Sequence, residues 1–542
     1  MCIEKLCAKI QIAYFRTTNK HRLMSTNQNQ SHPKGLYVLF ATEMWERFNY
    51  YGMRAILVLF MTKALLFSKD FSSQLYGGYT SLVYLTPLIG GYFADRFWGN
   101  QRSIIIGGLV MAIGEFILFF CGSIYSTNVE LSTLLFFTGL GFMIAGNGFS
   151  KPNISALVGQ LYPKGDRRID AAYTIFYMGI NVGGALGPFI CGLVGDTGNP
   201  ADFKWAFMAG GIGMLLSVLI QLIYHKKYVT GPDQKTLGLV PENAPSYSKN
   251  PIFGLVVFFL LIGVSTTLLY MDSGLAQIKH WGFNIGDYNI STALFTNLVF
   301  LLVACILVIA FIIFTDKTLT KLEKSKVAVI FTVSFFVVFF WSAYEQAGAS
   351  LTFFADEQTN RDLGFFVVPA SFFASLNSIF VVSFAPIFAW LWVKLGKMDP
   401  SSPTKMAWGL LLLALGYLWI AFGVKDVQPG IKVSMIWLVG MYALHTAGEL
   451  CLSPIGLSLV NKLAPVKFAS MLMAVWFTAN AFANYLAGAL SKLYPEEGKA
   501  KFVLGFQIEN NYDFFMMFVV MSGIAAFILF FLSRKLQNLM KD

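Results

Sequence analysis

The chain reads as an all-α membrane protein with fourteen transmembrane helices, and three observations lead there. Of its 542 residues 56% are hydrophobic and only 13% charged, against about 25% charged in a soluble domain. Fourteen apolar runs are long enough to cross a bilayer, which takes about 20 residues each. Finally, Lys and Arg are concentrated in every second loop. The runs are 36–66, 72–95, 103–124, 131–158, 169–194, 205–225, 252–271, 290–314, 327–350, 365–394, 405–424, 432–460, 466–492 and 512–534.

The loops orient the runs. With the N-terminus inside, the cytoplasmic loops hold Arg96 and Arg102; Lys164, Arg167 and Arg168; Lys226, Lys227 and Lys235; Lys317, Lys321, Lys324 and Lys326; Lys394 and Lys397; and Lys462 and Lys467. Arg534, Lys535 and Lys541 follow the last run, while the opposite loops are poorer in cations and carry Asp196, Asp202, Asp356, Glu357 and Asp362. This is the positive-inside pattern, with both termini cytoplasmic. It also accounts for the net charge of +11 without nucleic acid as a partner. The longest polar linker, Lys226 to Asn250, carries Pro232, Pro241 and Pro245. The division is therefore a tail at 1–35, a six-helix bundle at 36–225, a linker with two added helices at 226–326, a second six-helix bundle at 327–534, and a tail at 535–542. Two equal halves suit a transporter built from repeats. Residues 1–35 lack the long apolar core of a signal peptide. Met24 resembles a natural start, so 1–23 reads as an upstream extension or a disordered tail. Cys121, Cys191, Cys305 and Cys451 lie in apolar runs, Cys2 and Cys7 in the tail, and none has metal-ligand spacing.

Ionisable groups at bilayer depth mark function unless they are only pairing. The first run holds Glu43, Glu46, Arg47 and Arg54; at helical spacing Glu43, Arg47, Tyr51 and Arg54 form one polar stripe, with Glu46 at its edge. Glu115, Lys151, Glu345, His445 and Glu449 lie in other runs. Any single pair could merely staple helices together. The whole set calls for a shared polar interior. His445 reads as a neutral core residue or as a proton relay. Arg47 and Lys151 belong to the first half and Glu449 to the second, an arrangement that suits a zwitterion such as a short peptide. Asn181 and Asn377 could bond its backbone or bridge helices. Tyr84, Trp341 and Trp476 could wall side-chain pockets or simply pack.

Six segments resemble one family. Glu43-Met-Trp-Glu46-Arg47-Phe48-Asn-Tyr-Tyr51-Gly52-Met-Arg54 is similar to the ExxERFxYYG motif of the proton-dependent oligopeptide transporter (POT, or PTR) family of the major facilitator superfamily. The stretch from Gly90 through Asp95, Arg96 and Gly99 to Arg102 resembles the superfamily loop between helices two and three. Gly146 to Asn153, Phe176 to Gly183, Trp341 to Gln346, and Gly448 to Pro454 resemble the family's fourth-, fifth-, seventh- and tenth-helix segments. The resemblance spans 36–535. It implies the major facilitator fold in its bacterial fourteen-helix form, in the inner membrane, with alternating access and proton-coupled symport of di- and tripeptides. By motif position, it implies proton coupling at Glu43, Glu46, Arg47 and Glu345. Arg47, Tyr51 and Lys151 would take the peptide carboxylate, and Asn181, Asn377 and Glu449 the amino end. Arg54 and Glu345 would form an outer gate. Gly90, Asp95, Arg96, Gly99 and Arg102 would be structural, Asp95 stapling helices through Arg96, Arg102 or a helix N-terminus. No cofactor is implied beyond the coupling proton, and nothing requires more than a monomer. Mammalian members use a second-helix histidine; the run 72–95 has none, so carboxylates would carry the protons. Relatives that carry nitrate, drugs or metabolites leave another small solute as the alternative cargo. An enzyme is disfavoured by the lack of H-E-x-x-H, G-x-S-x-G and P-loop motifs.

Overall fold

A computed structural model describes residues 31–540 except 164, 167, 250, 273–281, 286–287, 292–297, 429, 497–498 and 504. The N-terminal tail with Cys2 and Cys7, the loop residues Lys164 and Arg167, and Lys541 lie outside the described residues.

The first six long helices are α1 (Lys34–Lys63), α2 (Lys69–Phe93), α3 (Gly99–Ile124), α4 (Val129–Gln160), α5 (Ile169–Gly195) and α6 (Phe203–Tyr228). Their starts follow local chemistry. Ser68 caps α2 by accepting from the Phe71 amide at 3.2 Å, and Asn128 caps α4 by accepting from Leu131 at 3.0 Å. No loop separates α2 from α3: a π-helical turn, Ala94–Trp98, carries one into the other. Next come α7 (Pro251–Asp272), a small antiparallel hairpin of β1 (Gly282–Ile285) and β2 (Tyr288–Ser291), and α8 (Leu298–Thr315). The eighth expected span thus begins later than 290, because its first residues pair as a strand.

The remaining helices are α9 (Lys321–Tyr344), the short α10 (Ser350–Glu357), α11 (Phe373–Leu395), α12 (Ser402–Val424), α13 (Met435–Leu463), α14 (Ala469–Ser491) and α15 (Asn511–Met540). Thr320 and Glu323 form a reciprocal capping box at the start of α9. Among the described residues twelve stretches are long and apolar enough to span a membrane; one of them, Lys69–Ile124, holds both α2 and α3, and α1, with its six charged residues, is not among them.

Two further expected spans are corrected. The run 327–350 is not one helix: after Tyr344 the chain tightens into a 3-10 turn at Glu345–Gly348 before α10 begins. The Gln346 side chain sits in the break, donating to the carbonyls of Ser342 at 3.0 Å and Ala487 at 2.9 Å. Such a break is tolerated at membrane depth where it is buried in protein. The run 365–394 becomes helical only at a 3-10 turn, Ala370–Phe372, which leads into α11 at Phe373. Before it, β3 (Thr359–Asn360) pairs in parallel with β4 (Val433–Ser434), and Pro369 holds its neighbourhood extended.

Helices α1 to α6 pack on one another, and so do α9 and α11 to α15. The two sets meet chiefly where α2 lies against α14 and α5 against α11. Their described hydrogen bonds and ion pairs lie toward one end, where α1 finishes and α2 starts. Ser73 Oγ and Ser491 Oγ are 3.1 Å apart, Lys63 pairs with Asp356 at 2.7 Å, Lys69 with Glu357 at 2.6 Å, and Lys501 with Asp70 at 2.8 Å. On the α5 side, Ser375 Oγ donates to the Ala185 carbonyl at 2.8 Å. Glycines let α2 and α14 touch backbone to backbone: a Cβ on Gly488 would lie 2.5 Å from the Ser73 carbonyl oxygen and 2.6 Å from Gly77 Cα. The protein is thus closed at the Lys63 end. α7 rests on α2 and α4, and α8 on α14.

Candidate functional site

A polar chamber opens between the two helix sets, just inside this closed end. Its volume is about 100 Å3, and its walls include Tyr51, Arg54 and Tyr84 from the first set and Tyr344, Glu345, Asn377 and Glu449 from the second.

α1 contributes two ionic clusters, two turns apart. In the first, Arg47 Nε lies 2.8 Å from Glu43 Oε1 and 2.7 Å from Glu46 Oε2, and all three residues are buried. Asn147 of α4 donates to Glu46 Oε1 at 3.1 Å. Charge is locally overbalanced here, with two carboxylates to one guanidinium, and Glu43 Oε2 and Arg47 Nη2 have no hydrogen-bond partner. This cluster lies outside the chamber wall. The second cluster crosses the halves: Arg54 pairs with Glu345, which sits on the 3-10 turn after α9, and also donates to the Tyr76 hydroxyl. Had α9 continued as a regular helix, Glu345 would sit on a different line. The break therefore aims the gate carboxylate across the seam. Gly348 in the same turn leaves room for Tyr76, whose hydroxyl would collide with a Cβ there.

Across the chamber, Glu449 of α13 accepts two hydrogen bonds on Oε2, from Tyr344 at 2.5 Å and from Asn377 at 2.9 Å. Both donors are neutral, and no cation pairs with Glu449 among the described residues. Lys151 on α4 has the complementary condition: its Nζ lies 4.3 Å from the centre of the Tyr84 ring, a cation–π contact, and it forms no ion pair among the described residues. Tyr84 is a chamber wall, while Lys151 itself is not among the residues that line the chamber.

The other residues named from the sequence are placed differently. The Asn181 amide donates to the Tyr177 carbonyl of its own helix at 2.9 Å, and Trp476 is buried against Gly456; neither lines the chamber. His445 lines it, its ring centre 4.7 Å from that of Tyr417 and tilted 52° to it. Glu115 accepts from Asn49 at 2.8 Å inside the first bundle, with no cation beside it. In the superfamily loop, Gly90 packs on the α4 backbone at Gly148. Asp95 is exposed and has no hydrogen bond or ion pair to Arg96, Arg102 or a helix N-terminus among the described residues, so the expected staple is not found. That loop is held instead by the linker after α6, whose Gly238 carbonyl accepts from the Gln101 amide at 2.9 Å. Gly99 adopts φ +73°, and a Cβ there would stand 2.3 Å from the Leu239 carbonyl oxygen.

Tyr344 and Tyr76, and Ser378 and Tyr442, which also line the chamber, are not singled out by the sequence. Tyr344 offered one signal, one residue before Glu345 in a recognised segment; the others are aromatic or small residues of types common in any core. In Tyr344→Phe the Glu449 carboxylate loses one of two donors. A hydrogen bond to a charged group contributes about 1.5–3 kcal/mol, so affinity for a dipeptide is expected to fall roughly tenfold in a binding titration. In a Glu449→Gln background the same change should have little further effect, as a double-mutant cycle would show.

A profile of the POT family matches residues 101–504. An uncharacterised transporter, YclF, of Bacillus subtilis (strain 168) is 38% identical over 472 residues, covering 86% of this chain and 89% of the relative. A di-/tripeptide transporter of Lactococcus lactis subsp. lactis (strain IL1403) is 32% identical over 526 residues, covering 94% and 97%. Among solved structures, a mutant of a peptide transporter POT in complex with alafosfalin superposes with a TM-score of 0.75 at 31% identity, covering 96% of this chain and 99% of that one.

Proposed function

Since this chain belongs to the POT family, we propose that it carries di- and tripeptides across the plasma membrane together with protons, by alternating exposure of the chamber between its two helix sets. The observation that carries this reading is the pattern of pairing. Arg47, Arg54, Glu43, Glu46 and Glu345 already have ionic partners, whereas Lys151 and Glu449, on opposite halves, have none among the described residues. A molecule with an anionic and a cationic end completes both. A short peptide offers a carboxylate toward Lys151 and an ammonium toward Glu449, where the Asn377 amide stands ready for its backbone.

Proton coupling follows from the same accounting. A carboxylate beside a guanidinium stays ionised; deprived of that partner in a dry site, it takes up a proton. A peptide carboxylate that competes for Arg47 frees Glu43 or Glu46 to hold one. Protonation of Glu345 releases Arg54 and loosens the closed end. Ligand and proton thus bias one two-state element. With the termini cytoplasmic, as the loop charges favour, the Lys63 end faces outward and this conformer is closed to the outside. The proposal takes the protein as a monomer, with no cofactor beyond the coupling proton.

Proteoliposomes preloaded to impose an inward proton gradient should accumulate a labelled dipeptide, and unlabelled di- and tripeptides should compete. Uptake indifferent to the gradient, or competition by drugs or nitrate but not by peptides, would overturn the assignment.

A further inference from the structure

A second cleft lies outside the transport pathway, at the end of the bundle opposite Lys63, between α3, α6 and the linker that follows α6. Its volume is about 390 Å3, and its wall carries two cations, Arg102 and Lys226, and no carboxylate. Neither cation forms a hydrogen bond or ion pair among the described residues. Trp98, Leu222 and Leu239 supply apolar wall beside them. The linker is a fixed side of this cleft. His225 bonds to the Leu237 carbonyl at 3.0 Å and to Gln221 at 2.6 Å, Gln101 bonds to Gly238, and Gly99 admits Leu239 at close range.

Two unpaired cations held on one wall repel each other and attract an anion. The apolar surface decides which anion. Leu222 is 57% exposed, and its neighbours along α6, Leu219 and Ile223, are 48% and 57% exposed, so the cleft opens onto the face of α6 that meets acyl chains. A soluble anion has no use for that continuity; a lipid uses both parts. Basic pockets at the ends of spanning helices are suited to acidic headgroups, and a guanidinium matches phosphate oxygens two at a time. We propose that this cleft is a binding site for an anionic phospholipid, its phosphate held between Arg102 and Lys226 and its chains running down the α6 face past Leu222. Arg102 is the last residue of the superfamily loop and Lys226 stands next to the linker, so a bound lipid would tie loop, helix and linker together within the first bundle.

The test is native mass spectrometry of the full chain, released from micelles holding equal amounts of phosphatidylglycerol and phosphatidylcholine. Each surface cation is expected to contribute roughly a fivefold preference for the acidic lipid, about 25-fold for the two. The Arg102→Gln, Lys226→Gln double variant should fall to near parity, and Lys227→Gln, whose side chain lies over Tyr228, should keep the wild-type ratio. No preference in the wild type, or an undiminished preference in the double variant, overturns the proposal. Millimolar inorganic phosphate should leave the lipid in place; displacement by it would assign the cleft to a free anion instead. If the double variant cannot be recovered, Lys226→Gln alone decides, with a roughly fivefold loss expected and no loss counting against the site.

Discussion

In Glu449→Gln, affinity for an unmodified dipeptide is expected to fall on the order of 100-fold, with little change in thermal stability. Glu449 is held by Tyr344 and Asn377, both neutral, and no cation accompanies it. The substitution therefore strands no cation among the described residues, while in the proposed pose the peptide ammonium loses the carboxylate it faces. Removing one partner of a desolvated charge pair typically costs 2–5 kcal/mol, and 1.4 kcal/mol is a factor of ten. The control is a peptide with an acetylated amino group. It should bind the wild type weakly and lose nothing further in the variant. Equal losses for both peptides would show that Glu449 shapes the chamber without meeting the ammonium, and an unchanged titration would remove it from the site altogether.

The second large effect is steric. Gly488→Leu should reduce gradient-driven uptake by roughly 100-fold or more at normal membrane abundance, because α2 and α14 could no longer close. Space for a Cβ at Gly488 is already lacking, with the Ser73 carbonyl oxygen 2.5 Å away, and interiors packed to this density do not accommodate added methylenes without backbone shifts. Closure can be read directly. The Ser73 and Ser491 hydroxyls are 3.1 Å apart, so paired cysteines at those two positions should crosslink readily in an otherwise native chain and poorly with Leu at 488. Crosslinking at the native rate in that background would mean that the backbone contact is dispensable for closure.

Periodicity and composition made the long helices legible, since an apolar run of 20 residues has few alternatives in a bilayer. The misread segments are those where a local polar contact overrides the apolar run. The Gln346 amide reaches across to α14 and ends α9 early, and Pro369 with the β3–β4 pair delays α11. Pro369 is visible in the run itself as a helix boundary signal, whereas the end of α9 at Gln346 is not visible without knowing which distant carbonyl lies opposite. The same holds for the chamber. Its charged residues stood out because charge is costly at that depth, but which of them are paired and which are free depends on helix rotation. Asn181 turned toward its own backbone, and Trp476 toward Gly456. Tyr344, an aromatic among 53 Phe and 23 Tyr, became conspicuous only when its hydroxyl was found on Glu449.

The two added helices have a mechanical consequence. α7 lies on α2 and α4 of the first set, yet the Asp272 carboxylate at its end accepts from Tyr485 of α14 at 3.0 Å, and α8 lies on α14 as well. One leg of this hairpin therefore rides on each half, and the Asp272–Tyr485 bond is a latch across the seam between them. When the halves rock, the hairpin must splay or that latch must part. A pair of spin labels on α7 and α8, both away from the cargo chamber, would act as a passive strain gauge, reading the transport stroke from a site that never touches peptide or proton.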